Sequence, residues 1–216
     1  LAGEAERKPV EAGETLEAFA GLLKRPRAIL VFVPAGAPVD QVIEELAPLL
    51  EPGDLLVDCG NSHFRDTDRR AGMLARQGLR FLGMGVSGGE AGARTGPSLM
   101  PGGSGEAYQR VRAMLEAAAA RADGEPCVAL LGSGSAGHYV KMVHNGIEYG
   151  LMELIAETYD LLRHGMGLEA RRLSALFAGW SEGELSGYLM ESAARVLART
   201  DPKTGRPLVE MIADRD

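Results

Sequence analysis

Apolar positions along this chain follow two alternating rhythms, and the alternation stops once. RAILVFV (27–33) is a continuous apolar run, suited to a strand buried on both faces. Val42, Ile43, Leu46, Leu49 and Leu50 then fall on one stripe of a helix over Asp40–Leu50, which Gly53 ends. DLLVD (54–58) predicts a second strand, Thr67–Gln77 a helix, and Arg80–Val86 a third strand. Glu106–Ala122 predicts an alanine-rich helix, and Cys127–Leu131 a fourth and last strand. Thr15–Lys24 predicts a short helix ahead of these, and residues 1–13 read as polar and irregular. Strands alternating with helices imply crossover connections and a mostly parallel sheet. From residue 136 onward the period is helical throughout, over 136–164, 169–178, 182–198 and 207–213. A boundary near Ser135 therefore separates an α/β part from an all-helical part.

The junction raises a question of chemistry. Gly132-Ser-Gly134-Ser-Ala-Gly137 is a literal G-x-G-x-x-G between an apolar run and a helix. A dinucleotide loop of that kind belongs to a strand–helix–strand unit on the first strand of its domain. Here the run is the last strand, and the helical stripe continues through Val140, Val143, Ile147, Leu151 and Leu154 to Leu161 and Leu162. At 1.5 Å per residue that helix spans about 43 Å, and no strand follows it. The glycines read instead as a tight turn by which the backbone leaves the sheet and enters a long helix.

That helix carries the chain's densest polar sector. The turn per residue of an α-helix places His144, Asn145, Glu148 and Tyr149 in one sector with Lys141. The apolar stripe adjoins it, so one face should rest against other structure. Met152 and Ile155 take over the polar sector two turns later, as in the wall of a pocket. A solvated i,i+3/i+4 network is the other reading of the same pattern. Lys141 and Glu148 stand about 10 Å apart along the axis, room for a ligand a few carbons long between a base and an acid. A lysine kept partly neutral can take an alcohol proton and then polarise the carbonyl that results.

Composition narrows the class. With 45% apolar and 25% charged residues the chain is globular. A net charge of −7 argues against a nucleic-acid surface. No apolar run approaches the roughly 20 residues of a membrane span, and the charged first ten residues are not a signal peptide. Cys59 and Cys127 have no metal-binding spacing and read as reduced thiols of a cytoplasmic protein, with no metal implied.

Two further glycine-rich stretches follow strands, and so lie at the carboxyl edge of the sheet where such folds bind ligands. In GMGVSGGEAGARTGPSLMPGG (83–103), Ser87-Gly88-Gly89 offers a hydroxyl and backbone N–H groups suited to a carboxylate or hydroxyls. In VDCGNSHFRDT (57–67), Asn61 and Ser62 should be exposed at the same edge. The combination of DCGNSHFRDT, GVSGGEAGARTGPSLMPGG and GHYVKMVHNGIEYG resembles the decarboxylating 6-phosphogluconate dehydrogenases. FAGWSEGELSGYLMESAARVL (177–197) and DPKTGRPLVEMI (201–212) resemble the helical domain of the same family.

The resemblance implies a partial Rossmann-like sheet domain over 1–135, without its first strand and Gly-rich loop, then an all-helical substrate and dimerisation domain beginning at 136–216. It implies oxidative decarboxylation of 6-phosphogluconate to ribulose 5-phosphate in the pentose phosphate pathway, with NADP as acceptor, by a homodimer. By the same resemblance Lys141 is the base at the C3 hydroxyl and then the acid at the 3-keto oxygen, and Glu148 protonates C1 of the enediol. Ser87, Gly88, Gly89, His144 and Asn145 bind the carboxylate end of the substrate, and Tyr149 reaches its phosphate. Asn61 lies between substrate and cofactor, and Val33, Pro34 and Ala35 pass under the cofactor. No metal is required.

The family has Val-Lys-Ala where this chain has Val33-Pro34-Ala35, which keeps NAD as the other candidate cofactor. The family's Gly-rich loop would precede Leu1, so the chain as it stands is expected to bind cofactor poorly and turn over little. A β-hydroxyacid dehydrogenase would share the Ser-Gly-Gly loop and the helix lysine, but usually lacks the His-Asn and Glu-Tyr pairs. A non-catalytic helical assembly module would have no need of both Lys141 and Glu148.

Overall fold

The computed structural model describes residues 10–211. The irregular reading of residues 1–9 and the last residues of the helix predicted over 207–213 lie outside them. The chain divides into two compact units, one ending at His144 and the other beginning at Asn145.

In the first unit, α1 (Leu16–Leu22) leads to β1 (Ala28–Val31), α2 (Ala37–Leu46), β2 (Leu55–Asp58), α3 (Phe64–Ala75) and β3 (Arg80–Ser87). The three strands pair in chain order and in parallel, with Ala28 opposite Leu55 and Leu55 opposite Arg80. Alternate residues of β2 serve opposite faces. Leu56 joins Ile29, Val31 and Phe81 against Val39, Ile43 and Leu46 of α2 and Leu74 of α3. The glycine-rich stretch after β3 is itself structured. It folds into α4 (Gly89–Thr95) and β4 (Ser98–Gly103), and β4 pairs antiparallel with β3 over six residues. On the other face of the sheet, Leu55 and Val57 join Leu82 and Met84 against Tyr108, Val111 and Leu115 of α5 (Gly105–Ala118). A sheet covered on both faces explains why its parallel strands read as unbroken apolar runs.

Four strands make the sheet, as expected, but the fourth is 98–103 and not 127–131. Cys127–Leu131 runs beside β4 with a single bridge, Leu99 to Val128, and its Cys127 carbonyl accepts the Leu99 N–H at 2.9 Å. Its carbonyls and amides are met at intervals, so it lines the sheet without extending it. A short hairpin, β5 (Arg121–Ala122) and β6 (Glu125–Pro126), precedes it on an Asp123-Gly124 turn with both φ angles positive.

The G-x-G-x-x-G segment is a helix seat. α6 (Ala136–Asp160) begins on it, and no strand element follows among the described residues. A Cβ at Gly137 would collide with the carbonyls of Met100 and Gly83 and the N–H of Gly102. A Cβ at Gly83 would lie 2.8 Å from His138 Nδ1, and one at Gly85 2.5 Å from Lys141 Cβ. At Gly137 and Gly102 helix backbone and strand backbone meet without side chains between them, and at Gly83 and Gly85 the strand leaves room for the His138 and Lys141 side chains.

The second unit contains the rest of α6, a π-helical turn (Leu161–Gly165), α7 (Ala170–Ser181) and α8 (Tyr188–Ala198). Leu173 and Phe177 of α7 and Ala194 and Leu197 of α8 form its core, with Ile155, Tyr159 and Leu162 packed on it. Of the expected apolar stripe of α6, Leu162 packs on this core, but Ile147 is 62% and Leu154 60% exposed.

Two buried polar groups make the first unit sensitive to substitution and to acid. Asp54 accepts from the N–H and guanidinium of Arg27 and from the Glu51 N–H, and both side chains are buried. Burial alone would raise its pKa, but these hydrogen bonds outweigh it and the carboxyl stays below the usual range. A depressed carboxylate contributes stability that is present above its unfolded pKa and lost as pH falls through the folded one. Asp54→Asn is expected to cost about 3–5 kcal/mol at neutral pH, the penalty for stranding a buried charge, seen as a lowered urea midpoint. Burial holds the His138 imidazole below its ordinary pKa of 6.5, against the opposing pull of Asp58 and the backbone of Asp58 and Met84, with Arg70 adding to the depression. The unfolded chain then takes up a proton that the folded chain refuses, so stability falls as pH drops below the unfolded value. Thermal melts from about pH 7.5 to about pH 5.5 should show Tm falling, and His138→Gln should flatten that slope.

Candidate active site

β1, β2 and β3 deliver three loops to the carboxyl edge of the sheet: 32–36, 59–63 and 87–89. In the first, Val33 is half-buried while Pro34 and Ala35 are exposed. In the second, Asn61 is exposed, as expected. Ser62 is not: it is buried, and its hydroxyl donates to Asp58 Oδ2 at 2.6 Å. The expectation of exposure fails because Asp58, the last residue of β2, turns inward and needs donors. Gly60 N–H supplies another at 3.0 Å. The two loops lie almost in contact, since a Cβ at Gly60 would come 3.0 Å from the Val33 carbonyl oxygen.

Ser87 ends β3 opposite Ser98, and Gly88 and Gly89 follow with φ of 141° and 57°. Both are conformations that side chains rarely adopt, so the turn depends on glycine. Lys141 reaches this edge from α6. Its stem packs over Gly85, two residues before Ser87 on the same strand, and it is 7% exposed. The glycine seat therefore places Lys141 over the strand that ends in the Ser87–Gly89 turn. His144 ends the first unit and is exposed. Asn145 and Glu148, half-buried, and Tyr149, exposed, continue the same helix in the second unit.

Beneath the edge lies a polar cluster that no motif announced. Arg70 of α3 is fully buried. Its guanidinium donates to the Gly36 carbonyl at 2.9 Å, Asp40 at 2.8 Å and Ser62 Oγ at 3.1 Å, and pairs with Asp58 at 3.5 Å. Hydrogen bonding from Arg70 holds the Asp40 carboxyl below the usual range. One turn earlier on α3, Thr67 Oγ1 lies 2.6 Å from His138 Nδ1. The helical period of α3 would have found Thr67 and Arg70 on one face, three residues apart, but not what they touch. Cys59, in the same loop, is buried, and burial pushes its thiol up to about 12, which leaves it unreactive.

Both parts of the chain have counterparts among known proteins. Residues 2–132 match the family described as the NAD binding domain of 6-phosphogluconate dehydrogenase, and residues 137–216 its C-terminal domain. The decarboxylating 6-phosphogluconate dehydrogenase of Synechococcus elongatus is 53% identical over 216 residues, 99% of this chain and 46% of that protein. The NADP(+)-dependent decarboxylating enzyme of Bacillus subtilis is 50% identical over 212 residues, 98% of this chain and 45% of its own. Among solved structures, Plasmodium falciparum 6-phosphogluconate dehydrogenase, studied apo, with NADP+ and with 6-phosphogluconate, superposes with a TM-score of 0.92 at 43% identity. That match covers 97% of this chain and 45% of the other. A 3-hydroxyisobutyrate dehydrogenase from Salmonella typhimurium, at 23% identity and a TM-score of 0.67, shares the fold; that match covers 82% of this chain and 59% of the other. The chain spans less than half the length of these 6-phosphogluconate dehydrogenases. With both of its parts matched in order and about half of its residues identical to those relatives, the chain belongs to the 6-phosphogluconate dehydrogenase family.

Proposed function

We propose that the protein carrying this chain converts 6-phosphogluconate to ribulose 5-phosphate and CO2 with reduction of NADP. The observation that supports this most directly is Lys141, buried over Gly85 beside the Ser87–Gly89 turn. Residues 1–135 would form the cofactor domain and 136–216 the start of a helical substrate domain.

The residues present fit a dinucleotide. The loops after β1 and β2 lie flat against each other at Val33 and Gly60, so backbone can approach a ligand closely there. Val33, Pro34, Ala35 and Asn61 would hold the cofactor, whose nicotinamide, when bound, accepts the hydride from C3. The Lys141 amine takes the C3 hydroxyl proton as the hydride leaves, which yields a 3-keto acid. The resulting ammonium then donates to the keto oxygen while the C1–C2 bond breaks and CO2 departs. The electron pair of that bond becomes the enediol, and Glu148 delivers a proton to its terminal carbon, C1 of the product, as the enol oxygen returns its proton to the Lys141 amine. Ser87, Gly88, Gly89, His144 and Asn145 would bind the substrate's carboxylate end, and Tyr149 its phosphate. In this scheme a side chain at 85 would displace the base, which explains the glycine.

Further readings rest on the family. A homodimer is proposed, and the exposed apolar stripe of α6 is consistent with a partner surface. A monomeric mass by light scattering would remove it. A cytoplasmic location is proposed on the enzyme's class, and no helix among the described residues is long and apolar enough to cross a membrane. Fractionation with a membrane or secreted pool would remove it.

The complete reading frame, expressed and incubated with 6-phosphogluconate and NADP, should release NADPH and CO2. Absence of both, with NAD as well, would refute the reading. Glu148→Gln should leave NADP affinity within about twofold while lowering kcat by about 10² or more, the weight of a lost general acid. Lys141→Arg, which keeps the charge but cannot release its proton at neutral pH, should lose at least about 10² in kcat/KM. A mutant of either kind that turns over at the wild-type rate removes that residue from its role.

A further inference from the structure

Arg70 is the one fully buried arginine among the described residues, and it is absent from the roles proposed above. Its partners are not random. Gly36 closes the loop after β1 that carries Val33, Pro34 and Ala35. Asp58 and Ser62 bracket the loop after β2 that carries Asn61. Asp40 opens α2, which starts at that first loop, and the Gly36 carbonyl also accepts the first α2 amides, Val39 N–H at 3.1 Å and Asp40 N–H at 3.4 Å. One planar guanidinium thus holds both loops and the helix between them.

Stability alone does not account for this arrangement. Of the charged side chains in this network (Arg69, Arg70, Asp40, Asp58 and Asp66), only Arg70 and Asp58 are withdrawn from water. A buried ion pair is often matched or surpassed in stability by apolar side chains of equal volume. An apolar side chain cannot fix the spacing of two loops by directed hydrogen bonds, and the fork geometry of arginine can. The spacing is tight, since a Cβ at Gly60 would lie 3.0 Å from the Val33 carbonyl oxygen.

We infer that Arg70 is a positioning residue for the dinucleotide: it clamps the loops 32–36 and 59–62 in one register, so that Val33, Pro34, Ala35 and Asn61 meet the cofactor together. The inference rests on the function proposed above. It differs from a merely structural role in what it moves, because it acts on cofactor affinity and leaves the substrate turn Ser87–Gly89 alone.

The test measures NADP and 6-phosphogluconate dissociation constants separately, by calorimetry, together with Tm, on protein expressed from the complete reading frame. Arg70→Lys keeps the charge without the fork, and Arg70→Met keeps the volume without the charge. Each is expected to weaken NADP about tenfold or more while 6-phosphogluconate stays within about twofold, the signature of a lost supporting contact. Both affinities falling in parallel, or NADP affinity unchanged in a folded variant, overturns the inference. Should neither Arg70 variant fold, Ser62→Ala decides: it cuts one tie to the second loop and should weaken NADP about threefold, and no change overturns the inference. Wild-type protein that binds neither NADP nor NAD overturns the functional reading and this inference together. Wild-type binding with unaffected variants overturns the inference alone.

Discussion

The close approach of the first two turns of α6 to β3 and β4 governs the rest of the site. Helix backbone lies against strand backbone at glycines 102 and 137, while glycines 83 and 85 make room for the His138 and Lys141 side chains. A Cβ at Gly137 or Gly102 would force the helix outward, because the opposing atoms there are backbone and cannot swing aside. The consequence is chemical. A helix pressed onto the sheet carries Lys141 into the protein at the strand end where Ser87 begins its turn. A helix held off by ordinary side chains would leave that amine in water.

The same contact explains which features can be read from the sequence. The parallel strands β1, β2 and β3 are legible because burial on both faces demands unbroken apolar runs, and ILV, LLV and FLGM supply them. The long helix is legible because its period never breaks between 136 and 160. β4 is not legible. Its sequence, SLMPGG, holds a proline and two glycines, all depleted in strands. The glycine at 102 is there for α6 and not for β4, since the neighbouring atom is the Gly137 amide. The signal for a strand is overwritten by the needs of the helix packed on it. Conversely, VALLGS at 128–133 carries strand composition, yet makes only one bridge: Leu99 and Gly103 of β4 donate to the 127–132 segment, but Pro101 between them has no N–H to donate.

The candidate site divides in the same way. Lys141, Glu148 and the Ser87–Gly89 turn stand out because catalytic residue types at helical spacing, or permissive residues directly after a strand, are unusual patterns. Ser62, Thr67, Arg70 and His138 do not stand out. They lie on α3, at the start of α6 and in a loop, and each looks like an ordinary polar surface position. Their burial depends on pairings from 4 to 71 residues apart in the chain, with Ser62 and Asp58 at the near end and Thr67 and His138 at the far end. Local pattern cannot reveal a partner at the larger of these separations. The apolar stripe of α6 shows the opposite case: the pattern correctly marks Val143, Ile147 and Leu151 as a face, but nothing among the described residues covers it.

The two buried ion pairs of the sheet domain use identical physics at opposite edges. Arg27 and Asp54 sit just before β1 and β2, at the amino edge, and tie those strand starts to each other and to α1 through the Ala20 carbonyl. No candidate ligand residue lies there, so their loss registers as stability and nothing else. Arg70 and Asp58 sit at the carboxyl edge, where the chain must leave the sheet and present irregular backbone. Irregular backbone has no ladder to fix it, and water would leave it free to move. Buried, directed donors replace the ladder at that edge. This is why the Arg70 network, with its ion pairs to Asp40 and Asp58, reaches into two loops, whereas the 2.7 Å pair at the amino edge joins strand starts that the ladder already holds.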